Sequence, residues 1–192
     1  MGCDGLPDDH DTLYKRGIDL IDPYMKLADR GIAKSESRDV HLWAGIACLD
    51  RVLALAPKNW SAFWVRGKAL QTLGEHVRSA DSFASAYKIQ PGNPDVGREY
   101  VLELLETKAF AEAVNVSAKL AGDNPTNAGL LANLALALLL NHELRRAAKT
   151  IEDALALDPN DPVTKALKRR IEEVASGQRK QPQSLQELEG AG

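Results

Sequence analysis

At 192 residues, 44% hydrophobic but only 5% aromatic, the chain has enough apolar material for one domain or one short repeat array. Its Ala- and Leu-rich make-up excludes a sheet-rich fold, because strands favour β-branched and aromatic side chains. A formal net charge of −3 excludes broad nucleic-acid binding, which needs clustered Lys and Arg to displace counterions from phosphates.

Residues 1–10 read as a flexible N-terminus. Met1-Gly2-Cys3-Asp4-Gly5-Leu6 lacks the basic start and apolar core of a secretory signal, and Leu6 stands where a myristoylation pattern wants Ser or Thr. The acidic run Asp8-Asp9-His10-Asp11 reads as a solvated lead-in to a helix, since neighbouring residues on a loose end do not converge on one metal ion. Cys3 and Cys48 are too few for a disulfide framework or a metal-ligand set, and they point to a reducing cytoplasm.

From residue 11 an apolar stripe, Tyr14, Ile18, Ile21, Met25, Ala28 and Ile32, keeps helical phase across Pro23. Either one long helix kinks at Pro23, or Asp22 caps a second helix that begins there. Next comes the dominant signal: Pro57, Pro91, Pro125 and Pro159 stand 34 residues apart, each followed two positions later by a helix-capping residue, Asn59, Asn93, Asn127 and Asp161. Pro94 and Pro162 then occupy the first helical position, where a missing N–H costs nothing.

A 34-residue unit of two helices resembles the tetratricopeptide repeat, whose pattern is Trp-x2-Leu-Gly-x2-Tyr, Ala-x3-Phe, Pro. One unit offers Phe63, Arg66, Gly67 and Leu70, then Ser79, Phe83 and Ala86. The next is looser, with Gly97, Tyr100, Val101 and Leu104, then Ala113, Ser117 and Leu120. The last full unit has Leu131, Leu134, Ala135 and Leu138, then Ala147, Ile151 and Ala154. Ahead of them, Gly45, Leu49 and Val52 fit a second half, whereas Asp29, Ile32, Ala33 and Glu36 fit a first half poorly.

The resemblance implies an all-α fold: a right-handed α-solenoid of helix-turn-helix repeats with an N-terminal helical extension and a C-terminal capping helix. Its boundaries are expected at 11–38 for the extension and divergent first half-repeat, 39–161 for the repeats, 162–175 for the capping helix and 176–192 for a flexible tail. The capping helix carries Lys168 and Arg169 where Leu and Gly would lie, as suits an end with no further neighbour. Its basic cluster with Arg170 and Arg179 reads as a solvated face, balanced by Glu172 and Glu173.

In proteins of this kind the first helix of each pair lines a concave groove. Carried over at the 34-residue step, the partner-binding set is Trp64, Lys68 and Gln71, then Arg98, Leu102 and Leu105, then Ala132, Leu136 and Leu139. Helix 128–140 is apolar almost all round, so a second face must be covered, yet it is too short to span a membrane. A carboxylate clamp is not expected, because Leu102, Leu136 and Leu139 stand where Lys, Asn and Arg would be needed.

No Gly-x-Ser-x-Gly elbow or Cys/His pair supports catalysis, and His41, His76 and His142 have no suitably spaced partners. The expected function is therefore non-catalytic, without cofactor, metal, nucleic acid or membrane: a scaffold, adaptor or chaperone-like module holding a peptide or helix of a protein partner. The alternatives are a groove closed by the chain itself or by a homodimer, or a regulatory module of an enzyme complex. Leu185 and Leu188 in Ser184–Leu188 stand at helical spacing and form a candidate plug.

Overall fold

The computed structural model describes residues 3, 5, 8–28 and 35–189. Its helices are α1 His10–Ala28, α2 Glu36–Leu55, α3 Trp60–Leu73, α4 His76–Ile89, α5 Pro94–Glu106, α6 Phe110–Asp123, α7 Ala128–Leu140, α8 Leu144–Leu157, α9 Pro162–Ala175 and α10 Leu185–Glu189. No strand occurs among the described residues. The fold is all-α, built of helix-turn-helix repeats of the α-solenoid class. Two compact units divide the chain, Met1–Pro91 with α1–α4 and Gly92–Gly192 with α5–α10.

Local chemistry sets the starts of α3, α5, α7 and α9. The Asn59 side-chain oxygen accepts from Ala62 N at 3.0 Å, Asn93 from Asp95 N at 3.0 Å, Asn127 from Leu130 N at 3.1 Å and Asp161 from Thr164 N at 2.8 Å. The turns after α3, α5 and α7 follow the same period. Gly74, Lys108 and His142 adopt left-handed backbone with φ of 81°, 61° and 63°. The next N–H then reaches back across the helix end, Glu75 to Leu70 O, Ala109 to Leu104 O and Glu143 to Leu138 O. Glycine adopts this shape freely, whereas Lys108 and His142 hold it against side-chain crowding. His142 is thus an exposed turn residue.

The first pair departs from the sequence reading. α1 pairs with α2, running unbroken through Pro23, which lies on its exposed face. Its small residue is Gly17: a Cβ there would meet Leu49 at 3.1 Å, as one on Gly67 would meet the Phe83 ring at 2.7 Å, and Leu49 and Phe83 are 34 residues apart. The first half of the first repeat is therefore Leu13-x2-Arg16-Gly17-x2-Leu20, the same pattern as Phe63-x2-Arg66-Gly67-x2-Leu70. Asp29, Ile32 and Ala33, assigned to that half from the period, lie outside the described residues, and Glu36 opens α2.

Described residues ahead of α1 also make contacts that the composition does not suggest. Cys3 is buried, its carbonyl accepting from the Arg51 guanidinium at 2.7 Å, and Asp8 pairs with Arg51 at 2.6 Å. Asp9 caps α1 through Thr12 N at 2.9 Å, and this contact with Thr12 holds its carboxyl below the usual range. Met25 packs against the unit's core with Tyr14 and Ile18.

Across the repeats the paired helices meet through complementary volumes. Gly67 faces Phe83 in one pair, whereas the equivalent positions in the next are Val101 and Ser117. Phe63 and Ala86 in the first become Gly97 and Leu120 in the second, and a Cβ on Gly97 would stand 2.5 Å from Leu120. Bulk has changed sides at both contacts, so the interface is filled without separating the helices. This exchange explains why the middle repeat matches the pattern loosely and still folds in register.

Gly67→Val is expected to destabilise the protein by about 1–3 kcal/mol through overpacking against Phe83. Adding Phe83→Ser, which copies the Val101/Ser117 arrangement, is expected to restore part of that loss in a urea double-mutant cycle. Simply additive losses would show that the two positions do not share one volume.

Cys48 supplies a pH signature for the first unit. Burial, with a further contribution from hydrogen bonding to Cys3, pushes its thiol from 9.0 up to about 12. A raised pKa means that the neutral thiol is favoured by folding, so this stabilisation is complete below about pH 9 and lost as pH rises towards 12. Urea midpoints measured upward from pH 8 are expected to fall more steeply for the natural chain than for Cys48→Ala, and parallel curves would contradict the assignment.

Candidate functional site

The first-helix face of the first unit carries Trp64, Lys68 and Gln71 on α3. Trp64 is half-buried against the core formed by α1, α2 and α3, and its indole N–H is buried with no hydrogen-bond partner. Lys68 Nζ donates to Gln71 Oε1 at 2.7 Å, so these two polar side chains form one edge of that face. α1 lies against α3, joined by a hydrogen bond between the Tyr14 hydroxyl and Ser61 Oγ.

In the second unit, α5 touches α7 and α7 touches α9, which brings three first helices together. Arg98 is exposed at the start of α5, where it pairs with Asp95 at 3.2 Å. Leu102, Ala132 and Leu136 are half-buried. Leu105 and Leu139, expected to line an open groove, are 1% and 0% exposed and belong to the core. The reason is geometric: α7 has neighbours in α5, α6, α8 and α9, so its apolar circumference is consumed by packing on several sides.

The chain beyond α9 completes this face. Pro182 is buried, and the Gln181 side-chain amide donates to the carbonyl of Leu139, near the end of α7 where helical carbonyls lack helical partners. α10 then places Leu185 and Leu188 beside Leu136 of α7 and Val163, Leu167 and Arg170 of α9, around a cavity of about 330 Å³. Arg170 donates to the Leu188 carbonyl at 3.2 Å. Glu173 meets three cations, Arg169 at 3.8 Å, Arg170 at 3.5 Å and Arg179 at 3.1 Å, and through the last ties the outgoing chain to α9. This segment differs from the loose tail expected of residues 176–192, because two leucines, a buried proline and these polar contacts anchor it to α7 and α9.

Val163, Leu167 and Arg170 were missed by the sequence reading, which took α9 as a basic cap. The signal was present: Val163, Ala166, Leu167 and Arg170 fall at helical spacing on one stripe. The Asp161 cap fixes where that stripe points, and the hydrogen bonds it accepts from Thr164 hold its carboxyl below the usual range. Among the described residues no group of His, Cys, Asp and Glu could hold a metal ion, and no helix is long and apolar enough to cross a membrane.

Family profiles described as tetratricopeptide repeat match residues 41–94 and 104–171, which together make up more than half of the chain. The chain belongs to the tetratricopeptide-repeat family. Among solved structures, residues 41 to the end of MamA from Desulfovibrio magneticus RS-1 are 19% identical, cover 95% of this chain and 97% of their own, and give a TM-score of 0.61. YrrB, a tetratricopeptide-repeat protein with an unusual peptide-binding site, is 15% identical over 88% of this chain and 86% of its own, with a TM-score of 0.62. The first such domain of Spaghetti (RPAP3), bound to the HSP90 peptide SRMEEVD, is 18% identical over 62% of this chain and 94% of its own, at 0.56. These likenesses concern the fold. No curated protein sequence matches the chain.

Burial separates the leucines of this tetratricopeptide-repeat protein into two classes. Leu139→Ala is expected to cost about 2–5 kcal/mol, and Leu102→Ala less than half as much, by urea denaturation. Equal losses at both positions would place Leu102 in the core as well.

Proposed function

We propose that this protein is a non-catalytic interaction module that holds an apolar, helix-forming segment of a protein partner on the first-helix face of its second unit. The observation that carries this reading is that α10 of this chain lies at the surface of α7 and α9, where its Leu185 and Leu188 line one pocket with Leu136 and Leu167, while Val163 in the same lining stays 72% exposed. Leu102, Ala132 and Leu136 would supply apolar contact, and Arg98 at the rim would orient the ligand. Trp64, Lys68 and Gln71 would form a separate contact set on the first unit. The peptide bound to the RPAP3 domain and the peptide-binding site of YrrB support this use of the fold. A net charge of −3 favours a protein over a nucleic acid as partner, and two buried free cysteines suit a reducing compartment such as the cytoplasm.

The apolar seat does not favour a carboxylate clamp of the kind that reads a charged peptide end. A burial-driven contact of this sort tolerates sequence variation along the ligand but demands correctly spaced apolar side chains. Scaffold, adaptor and chaperone-like roles all use that property.

Affinity capture from native lysate, comparing the natural chain with Leu102→Glu plus Leu136→Glu, tests the proposal. The double variant is expected to keep its helical circular dichroism and to lose the captured proteins. An identical captured set from both chains, with the variant folded, would move the binding surface to another face.

A further inference from the structure

We infer that α10 is an exchangeable occupant of the seat on α7 and α9, and that the external ligand is a short amphipathic helix with two large apolar residues three positions apart. The inference rests on the function proposed above and names the ligand class for the same site.

Three features of the seat support it. First, the chain itself shows what fits: Leu185 and Leu188, one helical turn apart, line one pocket with Leu136 and Leu167, and Val163 in that lining stays 72% exposed and open to a larger occupant. Second, the fit is incomplete. An open hollow of about 330 Å³ remains beside α10, bordered by the exposed Val163 and Arg169, and both leucines stay half-buried. Bulkier side chains at those two positions would fill space that leucine leaves open. Third, α10 has only five residues, far below the length at which a helix is stable alone, so its shape is borrowed from the seat.

Attachment differs sharply along the segment. Gln181 and Pro182 are anchored, one by its bond to the Leu139 carbonyl and the other by burial. α10 beyond them is held by two half-buried leucines and the Arg170 contact to the Leu188 carbonyl. That division suits a hinge near Ser184, with α10 leaving while the stem stays in place. Arg169 and Arg170 also border the hollow, so acidic residues flanking the two apolar anchors would be favoured in the ligand.

The test uses the full chain and a fluorescein-labelled peptide spanning residues 181–189 with Leu185→Phe and Leu188→Phe. Fluorescence anisotropy is expected to show at least tenfold tighter binding to the Leu185→Glu plus Leu188→Glu protein, whose own α10 is expelled, than to the natural chain. Adding Leu136→Glu to that variant should remove the gain. Equal affinity for the natural chain and the expelled variant would overturn the exchange. No binding to a variant whose circular dichroism is unchanged would overturn the ligand class, and binding that survives Leu136→Glu would overturn the location. If the glutamate pair lowers helicity, Leu185→Ser plus Leu188→Ser replaces it with the same expected ordering. A chain that captures lysate partners through Leu102 and Leu136 yet binds the peptide equally in both forms would keep the proposed function and lose only this inference.

Discussion

The close approach of two helices within each pair is the constraint from which the other features follow. Pairing needs a small residue opposite a large one, and several solutions coexist in this chain: Gly17 beneath Leu49, Gly67 beneath Phe83, and Gly97 beneath Leu120. The last of these sits one helical turn earlier, where the preceding repeat has Phe63 on the first helix and Ala86 on the second, so bulk there has changed sides, yet the interface stays filled because what matters is the summed volume at the contact. A consensus pattern is only one way to meet that requirement. Once helix separation is fixed, the turns inherit a constant geometry, which is why left-handed residues recur at Gly74, Lys108 and His142 although glycine occupies only the first.

Those turns satisfy the backbone groups that pairing leaves open. α3, α5 and α7 end with carbonyls answered by the following turn, and α3, α5, α7 and α9 begin with N–H groups answered by Asn59, Asn93, Asn127 and Asp161. Because backbone polarity is settled locally, the exposed faces of the first helices are free to vary without unmaking the fold. The second unit uses that freedom to carry Leu102 and Leu136, with the buried Leu105 and Leu139 beneath them.

What was legible in the sequence was whatever depends on short-range chemistry. Proline spacing and capping residues gave the repeat period and the starts of α3, α5, α7 and α9, because both act over two or three residues. The first helix was misassigned for a physical reason. Its Leu13-x2-Arg16-Gly17-x2-Leu20 pattern stands 50 residues before its counterpart at Phe63, and a search at one fixed period passes over it. At the face itself, a stripe of equivalent positions cannot show that Leu139 is core while Leu136 is half-buried, since that depends on which neighbouring helices lean over each position. The seat formed with Val163 and Leu167 needed α9 to be placed, and the five residues of α10 carry too little local preference to announce a helix without it.

The tether gives the seat its energetic character. A short connection from Ala175 to Leu185 keeps the occupant at an effective concentration in the millimolar range, so even a weak contact leaves the seat mostly filled. A partner present at about micromolar concentration must therefore bind roughly a thousandfold more tightly than α10 does, a difference of about 4 kcal/mol. Complete burial of one large apolar side chain contributes about 1.5–3 kcal/mol, and the half-buried leucines already hold part of that, so two better-filling anchors supply about 1.5–3 kcal/mol of the difference and flanking contacts of the ligand must supply the rest. The unfilled volume beside Leu185 and Leu188 is where such anchors would gain their advantage. Selectivity then follows from displacement: segments that merely match the leucines of α10 fail to compete with a tethered copy, and only those that exceed them enter.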